Sequence, residues 1–133
     1  MAISKERKNQ LMVWADDTIR HGNIYNETEE VVVSDSYNGQ IAAFSVSVAL
    51  SGLKPAMALY FSGKGSSDVD KKEIIGLLAS MYSKEGPEKN ADAFFQMVID
   101  ANGDALAEKK KKIIEYGIAL KLAVRTFKFN NHE

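Results

Sequence analysis

Three cations near the end of the chain have the spacing of a binding surface. Lys121, Arg125 and Lys128 are four and three residues apart, so a helix would place all three on one face. The guanidinium of Arg125 could hold two phosphate oxygens at once, whereas the two lysines would act as point charges. Cations near a helix C-terminus also complement the helix dipole. The spacing therefore leaves two interpretations open, a phosphate-binding face and a solvated helix end.

A second candidate anion site is the glycine-rich segment 62–67, which stands before a predicted helix. Backbone N–H groups at a helix N-terminus can bind an anion, and Lys64 could contact a phosphate there. The segment lacks the glycine spacing of a nucleotide-binding P-loop. A flexible turn between helices is the favoured interpretation. By contrast, the lysine run 109–112 circles its helix and is predicted to be a solvated collar.

Residue types that carry catalysis or bind metal ions are scarce or poorly spaced. The absence of cysteine excludes disulfides, thiolate catalysis and cysteine zinc sites. His21 and His132 accompany no nucleophile motif, and His21 is predicted to lie on the surface at a helix end. The acidic pairs at 16–17 and 29–30 are adjacent residues, which point about 100° apart on a helix. We expect a protein that is not an enzyme and needs neither a metal ion nor a cofactor.

Helices are the elements that would position these residues, because apolar residues recur at three- and four-residue spacing along most of the chain. Segment 41–50 is ambiguous: Phe44, Val46, Val48 and Leu50 alternate as in a strand, whereas its three alanines favour a helix. Residues 23–35 are predicted to form a loop. The predicted helices are 3–20, 41–50, 55–61, one that carries the apolar residues of 74–82, one over 91–99 and one over 105–127, for which Asp104 is a possible cap.

Length and composition bound the remaining possibilities. With 133 residues, 45% hydrophobic and 26% charged, the chain fits an all-α fold, a compact single-domain helical bundle (1–133) of about five to six helices. A net charge of −1 argues against strong nucleic-acid binding by the isolated chain, although it allows a local basic stripe. The sequence shows neither a signal peptide nor an apolar run of membrane-spanning length, so a cytoplasmic location is expected.

Two stretches resemble one known family. Residues 37–44 (YNGQIAAF) with 51–60 (SGLKPAMALY), and residues 119–128 (ALKLAVRTFK), are similar to the small helical subunit of the type III-B CRISPR effector, the Cmr complex. In that family a helix ends in Gly-Leu, a Pro-Ala turn starts the next helix and an aromatic residue closes it. The clear matches span 37–64 and 113–128, roughly a third of the chain. Lys54 stands where an apolar residue is common, so this turn would be more exposed here.

The resemblance implies a helical subunit that stacks with copies of itself into a minor filament. This filament would run beside the backbone and large subunits and would line the channel that holds the guide RNA and its target RNA, in antiviral defence, without cleaving either strand. The candidate RNA-contact residues are Lys121, Arg125 and Lys128, with Lys54 and Lys64 as weaker candidates. Two other functions stay open: a helical protein–protein adaptor that touches no nucleic acid, and a small hydrolase or nuclease, for which the sequence offers no motif.

Overall fold

Six helices make up the regular structure of the described residues, which are 4–22, 35–62 and 71–127 of a computed structural model. They are α1 (Lys5–Arg20), α2 (Asp35–Ser51), α3 (Leu53–Ser62), α4 (Lys71–Ser83), α5 (Ala91–Asp100) and α6 (Gly103–Val124). The described ranges contain no strand, so the predicted all-α bundle of five to six helices is confirmed. The ambiguous segment 41–50 lies inside α2, where it is helical throughout.

Local signals explain several of the helix ends. The Ser4 hydroxyl accepts a hydrogen bond of 3.0 Å from the N–H of Arg7 and caps α1. Asn90 caps α5 in the same way through the N–H of Ala93, at 2.8 Å. Between α2 and α3, Gly52 has a φ of 93°, a conformation that favours glycine, and Pro55 then lies in the first turn of α3.

The last helix differs from its prediction at both ends. Helix α6 begins at Gly103, and the preceding Asn102, rather than Asp104, holds the cap position, without a side-chain hydrogen bond. It ends at Val124 instead of Phe127, because the N–H groups of Thr126 and Phe127 bond to carbonyls only three residues earlier and tighten the final turn. Phe127 is nevertheless buried, as the apolar spacing predicted.

One hydrophobic cluster holds the bundle together and takes residues from all six helices. Helix α6 packs against α1, α2 and α4. It runs parallel to α1, because Arg7 bonds to Glu115 near the start of α1 whereas Arg20 covers the ring of Phe127 at its end. Within the described ranges, no helix has both the length and the apolar character needed to span a membrane. The bundle therefore fixes α6 in its core while one side of this helix stays at the surface.

Candidate nucleic-acid interface

The candidate interface is built on α6, whose two sides differ sharply. One side is buried in the core and consists of Ile113, Tyr116, Gly117, Ala119, Leu120, Ala123 and Val124. At Gly117 the helix comes so close to α2 that a Cβ atom would lie 3.1 Å from the Ser45 hydroxyl oxygen. The opposite side carries Lys121, which is partly exposed, and Arg125, which is exposed. Packing of the first side thus presents the second side to solvent.

Lys121 and Arg125 are brought together as the sequence predicted. They are four residues apart, and Arg125, directly after the helix, keeps helical dihedral angles with φ −67° and ψ −18°. Neither side chain takes part in an ion pair with the described residues. The final turn of α6 therefore offers two neighbouring cations whose charges the described part of the chain does not compensate.

The other three candidates are not part of this pair. Lys54 is partly exposed in the first turn of α3, a helix that packs against α2, α4 and α5, and it too lacks an ion-pair partner in the described chain. Lys64 and Lys128 lie outside the described residues. The structure thus groups Lys121 with Arg125 and places Lys54 on a different helix.

Sequence reasoning missed a charged cluster that links α1, the turn after α4, and α6. Arg7 donates to Glu85 through two parallel hydrogen bonds of 2.7 and 3.0 Å and to Glu115 at 2.8 Å. The Tyr116 hydroxyl also donates to Glu85, and the Nζ atom of Lys112 lies 3.9 Å from that carboxylate. We call Arg7, Glu85, Glu115 and Tyr116 the Arg7 cluster.

The electrostatics of the Arg7 cluster suit a structural link. Hydrogen bonding from Arg7 lowers the pKa of Glu85 below its usual value and keeps the carboxylate ionised. The pKa of Tyr116 is raised, first by burial and then by its bond to Glu85. Both carboxylates of the cluster are engaged by Arg7, which ties the turn after α4 and helix α6 to α1. A tyrosine inside an apolar stripe needs a hydrogen-bond partner, and this was the one signal in the sequence that pointed to the cluster.

A second missed feature is apolar and exposed. Ile114, Ile118 and Leu122 lie on the solvent side of α6, and Ile118 is 53% exposed. Helix α2 likewise exposes Val46 and Leu50, the latter to 82%. The four-residue spacing of the α6 residues was visible in the sequence as a second stripe beside the buried one. A helix that is apolar on more than one side indicates contact with another molecule.

Two remaining chemical candidates give no site. His21 lies at the C-terminal cap of α1, exposed, with Nδ1 2.9 Å from the carbonyl oxygen of Asp17, as expected of a surface histidine at a helix end. Across residues 4–22, 35–62 and 71–127, no group of three or more histidine and acidic residues could hold a metal ion. No protein-family model, no curated protein and no solved structure matches this chain.

Proposed function

We propose that this protein is a non-catalytic small subunit of a type III-B CRISPR (Cmr) effector complex and lies against the backbone of the bound RNA. The observation that carries the proposal is the pair Lys121 and Arg125, which stand together on the solvent side of α6 without ion-pair partners among the described residues. The resemblance of residues 37–64 and 113–128 to the small Cmr subunit supplies the type of complex.

The charge distribution suits a subunit that assists binding instead of performing it alone. In an RNA-guided complex, base pairing selects the sequence, so the protein need only offer shape and positive charge. Two or three phosphate contacts in one copy are weak, but copies repeated along an RNA add up through multivalency. A net charge of −1 limits the repulsion between stacked copies.

Exposed apolar side chains support assembly with other subunits. Val46 and Leu50 on α2, together with Ile118 and Leu122 on α6, are about half exposed or more. Apolar residues that cluster on two separate helices of a monomer are a signature of protein contacts.

The test begins with affinity purification of the protein from its native host, which should recover guide RNA and larger CRISPR subunits. In the assembled complex, replacing Lys121, Arg125 and Lys128 with Ala should reduce the loading of target RNA. It should also make binding less sensitive to salt. The slope of the logarithm of the binding constant against the logarithm of the salt concentration should fall by about one unit for each phosphate that the variant no longer binds.

A matched control compares two double variants that remove the same charge. Replacing Lys121 and Arg125 with Ala should reduce RNA loading, whereas replacing Lys109 and Lys110 with Ala should leave it unchanged, because these two lysines lie about three turns earlier on α6. Equal loading by both double variants would contradict the proposed contact. Recovery of partners that include neither RNA nor CRISPR subunits would contradict the type of complex.

The second candidate function is a helical adaptor that touches no nucleic acid, and the exposed apolar residues of α2 and α6 favour it specifically. An adaptor held by apolar contacts would associate with its partner almost independently of salt, whereas phosphate contacts weaken steeply as salt rises. A flat salt dependence, unaffected by the change at Lys121 and Arg125, would favour the adaptor.

A further inference from the structure

An apolar groove lies between α1 and α6, next to the candidate RNA-contact residues and distinct from them. Its volume is about 430 Å³. Leu11 and Ala119 are buried at its base, whereas Met12, Ile118 and Leu122 are partly or largely exposed. Ile118 and Leu122 are 53% and 46% exposed, so the described part of the chain leaves this groove open to solvent.

Charge at the groove is positive on balance. Lys8 and Glu115 line it, and Glu115 is already engaged by Arg7 at 2.8 Å, which leaves Lys8 uncompensated. Lys5 lies one turn before Lys8 on α1, and Lys111 one turn before Glu115 on α6, both exposed and without ion pairs in the described chain.

Acidic residues of the same two helices do not reverse this balance. Asp16 and Asp17 are bonded to Arg20 and Lys84, and Glu6 does not line the groove. Asp104 and Glu108 lie about three and two turns before Glu115. Because α1 and α6 run parallel, the cations Lys5, Lys8 and Lys111 gather at one end of the groove.

We infer that the groove between α1 and α6 binds an amphipathic helix of another protein, whose apolar face fills the groove and whose carboxylates meet Lys5, Lys8 and Lys111. The groove residues of α6 span two helical turns, which suits apolar anchors at positions i, i+4 and i+7 of a docked helix. This inference requires no RNA contact and stands whether or not the proposed function is correct.

The charge pattern argues for a partner of different sequence over a second copy of this chain. Helix α2 also carries exposed apolar side chains, Val46 and Leu50, but the carboxylate of this helix, Asp35, lies about three turns before Val46. A copy docked through α2 would therefore leave the cationic end of the groove unmatched. An acidic amphipathic helix matches both features, because its apolar face fits the groove and its carboxylates pair with the three lysines.

The test uses the full chain and two designed peptides of about 18 residues, long enough to form a helix. Both carry Leu at i, i+3, i+4 and i+7; one has Glu at the flanking positions and the other has Lys. Fluorescence anisotropy should show the Glu peptide binding at least about tenfold more tightly than the Lys peptide. Equal affinities would overturn the inference.

Two double variants locate the binding. Ile118→Glu with Leu122→Glu should weaken binding of the Glu peptide at least about tenfold. Val13→Glu with Leu50→Glu, two changes at even more exposed positions outside the groove, should leave it unchanged. Equal weakening by both would overturn the inference. So would dimers of the unaltered chain that form without peptide in sedimentation and disappear in the Ile118→Glu, Leu122→Glu variant, because a second copy would then fill the groove.

Methyl NMR of the unaltered chain places the peptide even if a variant fails to fold. On addition of the Glu peptide, the methyl signals of Met12, Ile118 and Leu122 should shift, and those of Val13 and Val46 should stay in place. Shifts confined to methyl groups outside the groove would overturn the assignment.

Discussion

At the scale of single residues, Glu85 stands out because its one carboxylate bonds to two different helices of the bundle. It lies in the turn after α4, yet it binds Arg7 of α1 through two hydrogen bonds and accepts one from Tyr116 of α6. Its side chain is 16% exposed and that of Arg7 is 23% exposed, so solvent screens this pair less than a surface ion pair. One carboxylate thereby fixes three parts of the fold relative to one another.

Replacing Glu85 with Gln should lower the free energy of unfolding by about 1–3 kcal/mol, the range for hydrogen bonds to charged groups. The amide keeps the shape of the carboxylate, but it is uncharged and has only one acceptor oxygen. It therefore cannot accept both hydrogen bonds from Arg7 and the third from Tyr116. Urea denaturation followed by circular dichroism measures the change.

The control for this change is Glu88→Gln, three residues along the chain. Glu88 is exposed and forms no ion pair in the described chain, so its replacement should alter stability by less than about 0.5 kcal/mol. Equal losses for the two variants would mean that the Arg7 cluster adds nothing beyond ordinary surface charge.

At the scale of elements, the close contact between α2 and α6 depends on two small residues. Gly117 of α6 faces the Ser45 hydroxyl of α2, and both helices contribute buried residues next to the crossing, Phe44 and Leu120 among them. Because the distance from a Cβ at position 117 to the Ser45 oxygen would be 3.1 Å, the crossing leaves no room for a branched side chain.

Gly117→Val should therefore destabilise the protein by about 1–3 kcal/mol through overpacking, despite the entropy that a glycine loses in a helix. Gly76→Ala is the matched control, since nothing lies within 4 Å of a Cβ at that position of α4. This change should stabilise the protein by about 0.5–1 kcal/mol. Thermal denaturation of the two variants gives the sign of each effect, and a stabilising Gly117→Val would refute the close approach.

The sequence predicted the helices themselves far better than it predicted the contacts between them. Apolar spacing predicted the buried side of α6 and the burial of Phe127, because a helix in a core must turn one stripe inward. It did not separate strand from helix over 41–50, since small apolar residues satisfy both periods. It also placed the end of α6 at Phe127, because spacing alone does not show that the last turn tightens after Val124.

The candidate site was predictable only in part. Lys121 and Arg125 share a face because both belong to one helix, and helical geometry relates residues that are close in sequence. The Arg7 cluster joins residues up to 108 positions apart, and local patterns contain no information about such pairs. The groove between α1 and α6 escaped prediction for the same reason, although the stripe Ile114, Ile118 and Leu122 was visible within α6.

At the scale of the whole molecule, two ion pairs join α1 to the same turn after α4. Arg7 binds Glu85, and Asp17 binds Lys84, the neighbouring residue. Hydrogen bonding from Arg7 lowers the pKa of Glu85 below its ordinary 4.5, and hydrogen bonding from Lys84 lowers that of Asp17 below 3.8. Asp17 is 44% exposed, so solvent screens its pair and Glu85 should dominate.

Acid should therefore weaken the hold of α1 on the bundle. A lowered pKa means that the unfolded chain binds the proton more readily than the folded one, so the stabilisation from Glu85 is complete above about pH 4.5 and is lost as the pH falls through the folded value. Urea denaturation from pH 7 to pH 3 should show a decline below about pH 4.5 that is smaller in Glu85→Gln than in the unaltered chain, while Asp17→Asn changes it little. Identical declines in the unaltered chain and Glu85→Gln would contradict this prediction. Glutamine at position 85 cannot take up a proton, so the acid sensitivity would then come from other groups.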